Sequence, residues 1–350
     1  MYINPLVDTH MMKIFSYRES TILRALSGDS RTSIRELTDL AHCSRITATK
    51  ELNKLKSAYD IKFGIEADED ALGLVQRHLL IVRLDKKPKL KELVEIFKDD
   101  PYTDNIYLCE GSFDLIIHAV TSDPMSYIVW ESLLPGKLGD YGVNIYPSEL
   151  MHTNFGYFPI AKATISRFAK GIDDTDRSLL MLLAEDSSAS MTDLSRALKI
   201  SRNTLYYRLF TLKKSGIIKR FTLSVNKPPF GYILAYAVNY RFNRTSSKRS
   251  VRMMEYYKSY DERFPLMSTF QLLAPMSGSY RFLGIGLFED KADAMKNAIM
   301  VHKSIFTQEN PDIKHARITG IVKGTFPFRS IDIKSNYTRF RWSEEDLKER

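Results

Sequence analysis

Residues Ser201–Phe221 read SRNTLYYRLFTLKKSGIIKRF and combine six Lys or Arg residues with several aromatic residues and no carboxylate. At about 100° per residue, Leu205, Leu209 and Leu212 fall on one side of a helix and predict a stripe that faces a core. Gly216 is typical of a helix end, and the β-branched residues that follow it predict a short strand. The stretch therefore predicts a basic amphipathic helix followed by a strand.

The opposite face of this helix is polar, aromatic and cationic, which suits the major groove of DNA. An amide can bond a base edge, while hydroxyl groups and cations hold phosphates. A solvated basic face, or packing of the aromatic residues against a neighbouring domain, is the alternative explanation. The residues predicted to contact DNA from this part of the chain are Arg202, Asn203, Thr204, Tyr206, Tyr207, Arg208, Lys213, Lys214, Lys219 and Arg220.

Two further helices are predicted before this one. Asp173 or Asp174 is placed to cap the first of them, Ser190 to cap the second, and Ser201 to cap the basic helix itself. Only three or four residues separate the second helix from the third, which is the tight turn of a helix-turn-helix. With the strand that follows, the segment predicts a winged helix-turn-helix.

The chain repeats this pattern. Residues 31–56 align with residues 188–213 at an offset of 157, with Ser44 opposite Ser201. Further on, EGSFDLIIHAV at 110–120 aligns with SGSYRFLGIGL at 277–287, at an offset of 167. Internal repetition at a fixed spacing indicates a duplicated structural unit.

The third helix of the first copy has a similar but weaker basic face. Ala48, Leu52 and Leu55 form its predicted inner stripe. Carboxylates at residues 66–70 follow soon afterwards and would repel phosphate, so this copy is expected to dock differently or to act mainly in support. Its candidate DNA-contacting residues are Ser44, Arg45, Thr49, Lys50, Asn53 and Lys54.

The second half of each unit alternates strands and helices in the order β-α-β-β-α-β, which predicts a ferredoxin-like domain. The predicted fold class is therefore α+β, with two winged helix-turn-helix domains alternating with two ferredoxin-like domains. The predicted ranges are a leader at 1–16, helix-turn-helix domains at 17–73 and 170–227, sensor domains at 74–160 and 228–327, and a tail at 328–350.

The segment that begins DDTDRSLLMLLAEDSSASMTDLSRALKISRNTLYYRLF, with the turns CEGSFDL and SGSYRFL, resembles the Lrp/AsnC family of archaeal and bacterial regulators. The resemblance runs twice over about residues 17–325 and implies a DNA-binding transcription regulator whose sensor domains pair and bind an amino acid or similar effector. By position it implies an effector site at Gly111, Ser112 and Asp114, where the second copy has Arg281 in place of Asp114. Supplying turn conformations is the alternative role for Gly111 and Gly278.

A formal net charge of +9 and a pI near 9.2 favour an anionic partner such as double-stranded DNA. No apolar run is long enough for a membrane helix, and two distant cysteines suit a reducing cytoplasm. No cofactor, metal site or catalytic residue is predicted, because the seven histidines do not cluster. A homodimer is expected because two-fold pairs of helices usually read DNA. Two alternatives stay open: an enzyme like the sirohaem decarboxylases, which share the double architecture, and a helix-turn-helix protein that binds only other proteins.

Overall fold

The computed structural model describes residues 16–74, 76–150, 158–227, 232–239, 270–288, 290–292, 294–295 and 312–327. Almost all of the predicted leader and the whole predicted tail lie outside the described residues. The order β-α-β-β-α-β predicts two helices in the second sensor, at about residues 251–260 and 292–306. The first lies wholly outside the described residues and the second mostly outside them.

Three helices form the first helix-turn-helix: α1 (Tyr17–Gly28), α2 (Ile34–Ala41) and α3 (Arg45–Tyr59). The predicted capping box at Ser33 is present, because its hydroxyl accepts a hydrogen bond from Glu36 N while the Glu36 carboxylate accepts one from Ser33 N. Ser44 caps α3 through Thr47 N. Local side-chain chemistry therefore sets where these helices begin.

The second copy repeats this arrangement after a short helix, α6 (Lys162–Phe168), which the sequence analysis did not anticipate. Its helices are α7 (Asp174–Glu185), α8 (Met191–Leu198) and α9 (Arg202–Lys214), capped by Asp173, Ser190 and Ser201 as predicted. His42 and Lys199 occupy equivalent positions in the two turns, and both are left-handed, with φ of 47° and 54°. The predicted tight turn is thus present twice.

Each sensor domain contributes four strands. The first sensor comprises β2 (Gln76–Leu84), α4 (Leu90–Phe97), β3 (Thr103–Gly111), β4 (Leu115–Thr121), α5 (Pro124–Leu138) and β5 (Val143–Leu150). The second contributes β7 (Tyr232–Asn239), β8 (Phe270–Gly278), β9 (Phe282–Phe288) and β10 (Asp312–Lys323). The first sensor has the predicted β-α-β-β-α-β order.

The two sensor sheets close into one antiparallel barrel with the strand order β10-β3-β4-β2-β5-β8-β9-β7. Two seams join them. At one, residues 106–111 pair with residues 316–323, and at the other, residues 148–150 pair with residues 276–278. The two sensors of one chain therefore pair with each other.

The strands that follow the two helix-turn-helix units do not stand apart as separate wings. Strand β1 (Ile61–Ala67) pairs antiparallel with β6 (Ile218–Val225), and the short β11 (Phe326–Pro327) adds to the other edge of β6. The strand predicted after each third helix is present, and the two strands form one sheet. The pairing joins the two helix-turn-helix units into one body.

Candidate nucleic-acid interface

The inner side of α9 is buried as its spacing predicts. Leu205, Leu209 and Leu212 are at most 9% exposed, and they pack in a cluster with leucines of α7 and α8. In α3, Ala48 and Leu55 are buried, with Leu52 packed against them. Burial of these stripes fixes which side of each helix faces outward.

The outer side of α9 carries large aromatic side chains in solvent. Tyr206, Tyr207 and Phe210 are 58%, 72% and 62% exposed, and the Lys214 ammonium lies 6.0 Å from the centre of the Phe210 ring. Asn203 is exposed on the first turn of the same helix. More than half of each of these side chains is exposed to solvent, and Tyr206 also interacts electrostatically with Arg31 of the first helix-turn-helix. The face is free to meet a partner.

The start of α9 is held in place by hydroxyl groups. Ser201 accepts a hydrogen bond from Thr204 N, and its hydroxyl also bonds the Thr204 hydroxyl at 2.8 Å. Arg202 Nη2 donates to the Thr192 hydroxyl of α8 at 2.7 Å. The exposed Arg202 guanidinium is therefore oriented by the helix-turn-helix itself.

Arg208, predicted to contact DNA, is instead bonded within the domain. Its Nη1 lies 2.6 Å from Asp173 Oδ2 and 2.9 Å from Asp176 Oδ1, at the start of α7. Hydrogen bonds to these two carboxylates raise the pKa of Arg208. The bond to Arg208, followed by the backbone bond from Asp176 N, lowers the pKa of Asp173. Arg208 fixes α9 on α7, and its two ion pairs compete with its predicted contact with DNA.

Lys219 and Arg220 also meet carboxylates, and these belong to the acidic stretch of the first copy. Arg220 Nε lies 2.5 Å from Glu66 Oε2, and Lys219 Nζ lies 3.3 Å from Asp68 Oδ2. The pairing of β1 with β6 brings these charges together, because it sets Glu66 opposite Arg220. The acidic stretch that was expected to repel phosphate therefore neutralises cations of the second copy.

The basic residues at the helix ends lie over aromatic rings. Lys213 Nζ is 5.1 Å from the centre of the Phe221 ring, and the guanidinium carbon of Arg31 is 4.7 Å from the same ring. In the first copy, Lys56 Nζ is 4.5 Å from the centre of the Phe63 ring. Lys213 remains exposed, so it retains access to solvent and to a polyanion.

In the first copy, Arg45, Thr49, Lys50 and Asn53 are exposed on the outer face of α3, as is the capping residue Ser44 that precedes it. Lys54 is exposed but bonds Glu19 of α1 at 2.8 Å. Ile46 is 82% exposed, at the position that Asn203 holds in the second copy. The two outer faces thus share a position on the fold but not their chemistry.

The two helix-turn-helix units meet around an approximate two-fold axis. Ser30 and Ser187, which are 157 residues apart, bond each other through their hydroxyl oxygens at 2.8 Å. Ser30 N donates to Phe221 O at 3.2 Å, and Ser187 N donates reciprocally to Phe63 O at 3.1 Å. Arg31 adds bonds from its guanidinium to Ser187 O and Ala189 O. The repeat itself is the sequence signal from which this contact could have been anticipated.

Gly111 and Ser112, two of the predicted effector residues, lie at the longer seam of the barrel, whereas the third, Asp114, bonds β2. Gly111 has a φ of 149°, and a Cβ there would stand 2.6 Å from His315 O. Ser112 N donates to His315 O at 2.9 Å. Asp114 Oδ2 accepts a hydrogen bond from Leu84 N at 2.8 Å. These contacts give each residue a structural role, and effector binding there stays a prediction.

The second seam repeats the glycine geometry. Gly278 has a φ of 144°, and a Cβ there would stand 2.7 Å from Pro147 O, while Ser279 N donates to Pro147 O at 3.0 Å. In the place of Asp114, Arg281 uses its backbone N–H to donate to Val238 O. Both glycines therefore let two strands approach more closely than a side chain would allow.

Comparison with known proteins agrees with this geometry. A family model described as winged helix-turn-helix DNA-binding matches residues 172–219, which span α7 to the start of β6. The chain contains a winged helix-turn-helix domain. The winged helix-turn-helix predicted from this part of the sequence is confirmed.

The curated relatives match part of the chain. An uncharacterised HTH-type transcriptional regulator of Pyrococcus furiosus is 27% identical over 122 residues, which are 35% of this chain and 76% of that protein. A similarly named regulator of Pyrococcus abyssi is 25% identical over 122 residues, which are again 35% of this chain and 76% of that protein. The HTH-type transcriptional regulator FL11 of P. furiosus is 33% identical over 66 residues, 19% of this chain and 44% of that protein.

A solved structure matches nearly the whole length. The crystal structure of the siroheme decarboxylase NirDL aligns with 95% of this chain and 97% of its own, with a TM-score of 0.54 and 11% identity. At that identity the likeness concerns the fold alone, and it supports the duplicated α+β architecture. Among the described residues, no group of three or more His, Cys, Asp or Glu side chains is arranged to hold a metal ion. No helix in that part of the chain is long and apolar enough to cross a membrane.

Proposed function

We propose that this protein is a sequence-specific, double-stranded-DNA-binding transcription regulator that reads DNA with α9 and, differently, with α3. The observation that carries the proposal is the exposed outer face of α9, on a domain matched by a DNA-binding winged helix-turn-helix family. The similarity to proteins named HTH-type transcriptional regulators supports it.

In this proposal α9 lies in the major groove with its first turn toward the bases. Asn203 is exposed there and can make two hydrogen bonds to an adenine edge. Arg202, Lys213 and Lys214 flank it and meet phosphates, for which no ion pair competes among the described residues. Tyr206 and Tyr207 supply hydroxyl groups and apolar rings to the groove wall.

The barrel formed by the sensors would carry the regulatory signal. An amino acid or similar effector bound near Gly111, Ser112 and Asp114 would act where β3 meets β10. Strand β10 leads directly to β11, which pairs with β6, the strand that follows α9. A change at the seam therefore has a short covalent path to the DNA-reading unit. A homodimer, if formed, would join two of these bodies.

The test is the salt dependence of DNA binding by the full chain, measured by fluorescence anisotropy with genomic fragments. Contacts to phosphates release counterions, so affinity should fall roughly 10³-fold between 50 and 200 mM salt if about six phosphates are contacted. Affinity that is independent of salt, or no binding at 50 mM salt, would contradict the proposal.

An enzyme is the second candidate, and the whole-length likeness to the NirDL fold is the observation that favours it. The first sensor offers the buried histidines His78 and His118, each with a ring Nε2 that has no hydrogen-bond partner. We favour a regulator without catalytic activity, because the basic outer face of α9 has no evident use in a decarboxylase. Titration with an iron porphyrin, followed by its Soret band, tests the alternative: a stoichiometric spectral shift lost in His118→Ile would support the enzyme.

A further inference from the structure

The two recognition helices of one chain are related by an approximate two-fold axis. The Ser30–Ser187 pair marks one point on the axis. The centre of the β1–β6 ladder marks another, because Gly64 pairs with Thr222 between the reciprocal pairs Phe63–Leu223 and Ile65–Phe221. A two-fold relation places α3 and α9 at the same level along its axis. DNA-binding dimers use this arrangement to reach two half-sites.

Contacts between the units hold this arrangement rigidly. The Arg31 guanidinium bonds backbone carbonyls of the second unit, and Arg220 and Lys219 pair with Glu66 and Asp68 of the first. Most of these bonds involve side chains that are at least half buried. The pair of helices that a homodimer would have to assemble is thus already present in one chain.

The outer faces of α3 and α9 have the same residues at the start of each helix and different residues after it. Ser44 and Arg45 match Ser201 and Arg202. The exposed positions that follow differ in size, polarity and charge: Ile46 against Asn203, Thr49 against Tyr206, Lys50 against Tyr207, and Asn53 against Phe210. A palindromic site presents the same base edges to both helices. The shared Arg side chains can hold equivalent phosphates, but Ile46 cannot make the bonds that Asn203 makes.

We infer that a single chain reads a non-palindromic DNA site made of two different half-sites, one bound by α9 and the other by α3. This rests on the proposed function. The half-site of α9 requires a base edge that an amide can bond, whereas at the equivalent place the half-site of α3 offers an apolar group such as a thymine methyl. The half-site centres lie about one helical turn apart, or a multiple of it.

The experiment selects binding sites from random duplexes with the full chain, then measures the mass of the complex and its footprint. We expect an asymmetric consensus, one chain per site and protection of two half-sites. A palindromic consensus, two chains per site, or protection by α9 alone would overturn the inference while leaving DNA binding intact. Absence of salt-dependent binding to any duplex would instead overturn the proposed function and the inference with it.

A helix-face exchange makes the test sharper. The first variant carries Ile46→Asn, Thr49→Tyr, Lys50→Tyr and Asn53→Phe, all at exposed positions. It should select an inverted repeat of the α9 half-site and prefer that repeat to the native site by about 5- to 150-fold. The reverse exchange, Asn203→Ile, Tyr206→Thr, Tyr207→Lys and Phe210→Asn, should select the other inverted repeat. If either folded variant keeps the wild-type consensus, the inference fails.

Discussion

The two copies in this chain share their described strand and helix-turn-helix arrangement, but the interiors of their sensors differ as much as the outer faces of α3 and α9 do. In the first sensor, Asn105 pairs across the sheet with His118, and the equivalent pair in the second sensor is Leu272 with Ile285. Likewise Arg77 faces Val120 where Ile233 faces Leu287. One sensor has buried polar groups at places where the other is apolar. Equal strand register therefore does not imply equal chemistry.

The polar positions of the first sensor are anchored only in part. Asn105 Nδ2 donates to Pro159 O at 2.8 Å, and the His118 ring stacks on Phe158 with centroids 4.4 Å apart. His118 is fully buried, and burial, with the nearby Arg77 charge, lowers its pKa from 6.5 to about 3. The second sensor has no buried titratable group at these positions, because its equivalent residues are apolar. The difference predicts that pH sensitivity resides in the first copy.

The largest expected effect is a loss of stability when either seam glycine, Gly111 or Gly278, is replaced, because both copies use a glycine with positive φ there. In Gly111→Ala and Gly278→Ala, the new Cβ meets backbone atoms closer than 3.0 Å at a positive φ. Strain and overpacking together should lower the free energy of unfolding by about 3–5 kcal/mol for each variant. Urea unfolding measures it. Gly136→Ala, in a helix with nothing within 4 Å, is the control and should be neutral or stabilising. A loss below about 1 kcal/mol at either seam would contradict the shared geometry.

The next expected effect is a pH-dependent change in stability that arises in the first sensor, from His118. In the folded protein His118 has a pKa of about 3, against 6.5 in the unfolded chain. The unfolded chain therefore binds a proton that the folded protein does not, and the free energy of unfolding falls as the pH falls from 6.5 toward 3. His118→Ile, which installs the residue of the second copy, should gain about 2–3 kcal/mol relative to wild type between pH 7 and pH 4.5. Urea unfolding at a series of pH values measures this. Ile285→Val should shift stability equally at every pH. A constant difference for His118→Ile would refute the assignment.

A third prediction concerns the unequal recognition helices. Asn203→Ala should reduce discrimination between matched and scrambled sites by about 1–3 kcal/mol, because it removes a bidentate base contact. Ile46→Ala and Lys50→Ala should cost less discrimination, since neither removes such a contact. Competition binding on both kinds of site measures the difference. If Asn203 only solvates the start of α9, its removal will leave specificity unchanged; equal losses from both helices would remove the asymmetry.

The smallest effect distinguishes exposed cations from paired ones. Lys214→Ala should weaken binding to all sequences alike and reduce the slope of log affinity against log salt by about 0.9. Arg208→Ala should leave that slope unchanged and lower stability instead, because Asp173 and Asp176 lose their partner. Anisotropy titrations at several salt concentrations, with urea unfolding, measure both. A reduced slope for Arg208→Ala would show that this side chain leaves its carboxylates to meet DNA.

The sequence by itself determined the fold class, the repeat and the described helices other than α6. Helix starts at Ser33, Ser44 and Ser201 depend on bonds between residues three apart, and the buried stripes of α3 and α9 depend on helical spacing alone. Such interactions are local, so the order of residues specifies them. The duplication likewise needed only the comparison of the chain with itself.

Only the tertiary structure decided which cations remain available and how the copies join. Arg220 and Glu66 are 154 residues apart, and their ion pair exists because β1 and β6 pair in one particular register. The residues of each strand predict an extended segment, but they specify neither its partner nor the register of the pairing. The closing of the sensor barrel similarly depends on Gly111 and Gly278 meeting strands of the other copy. Long-range pairing depends on the packing of the whole chain, which no local pattern contains.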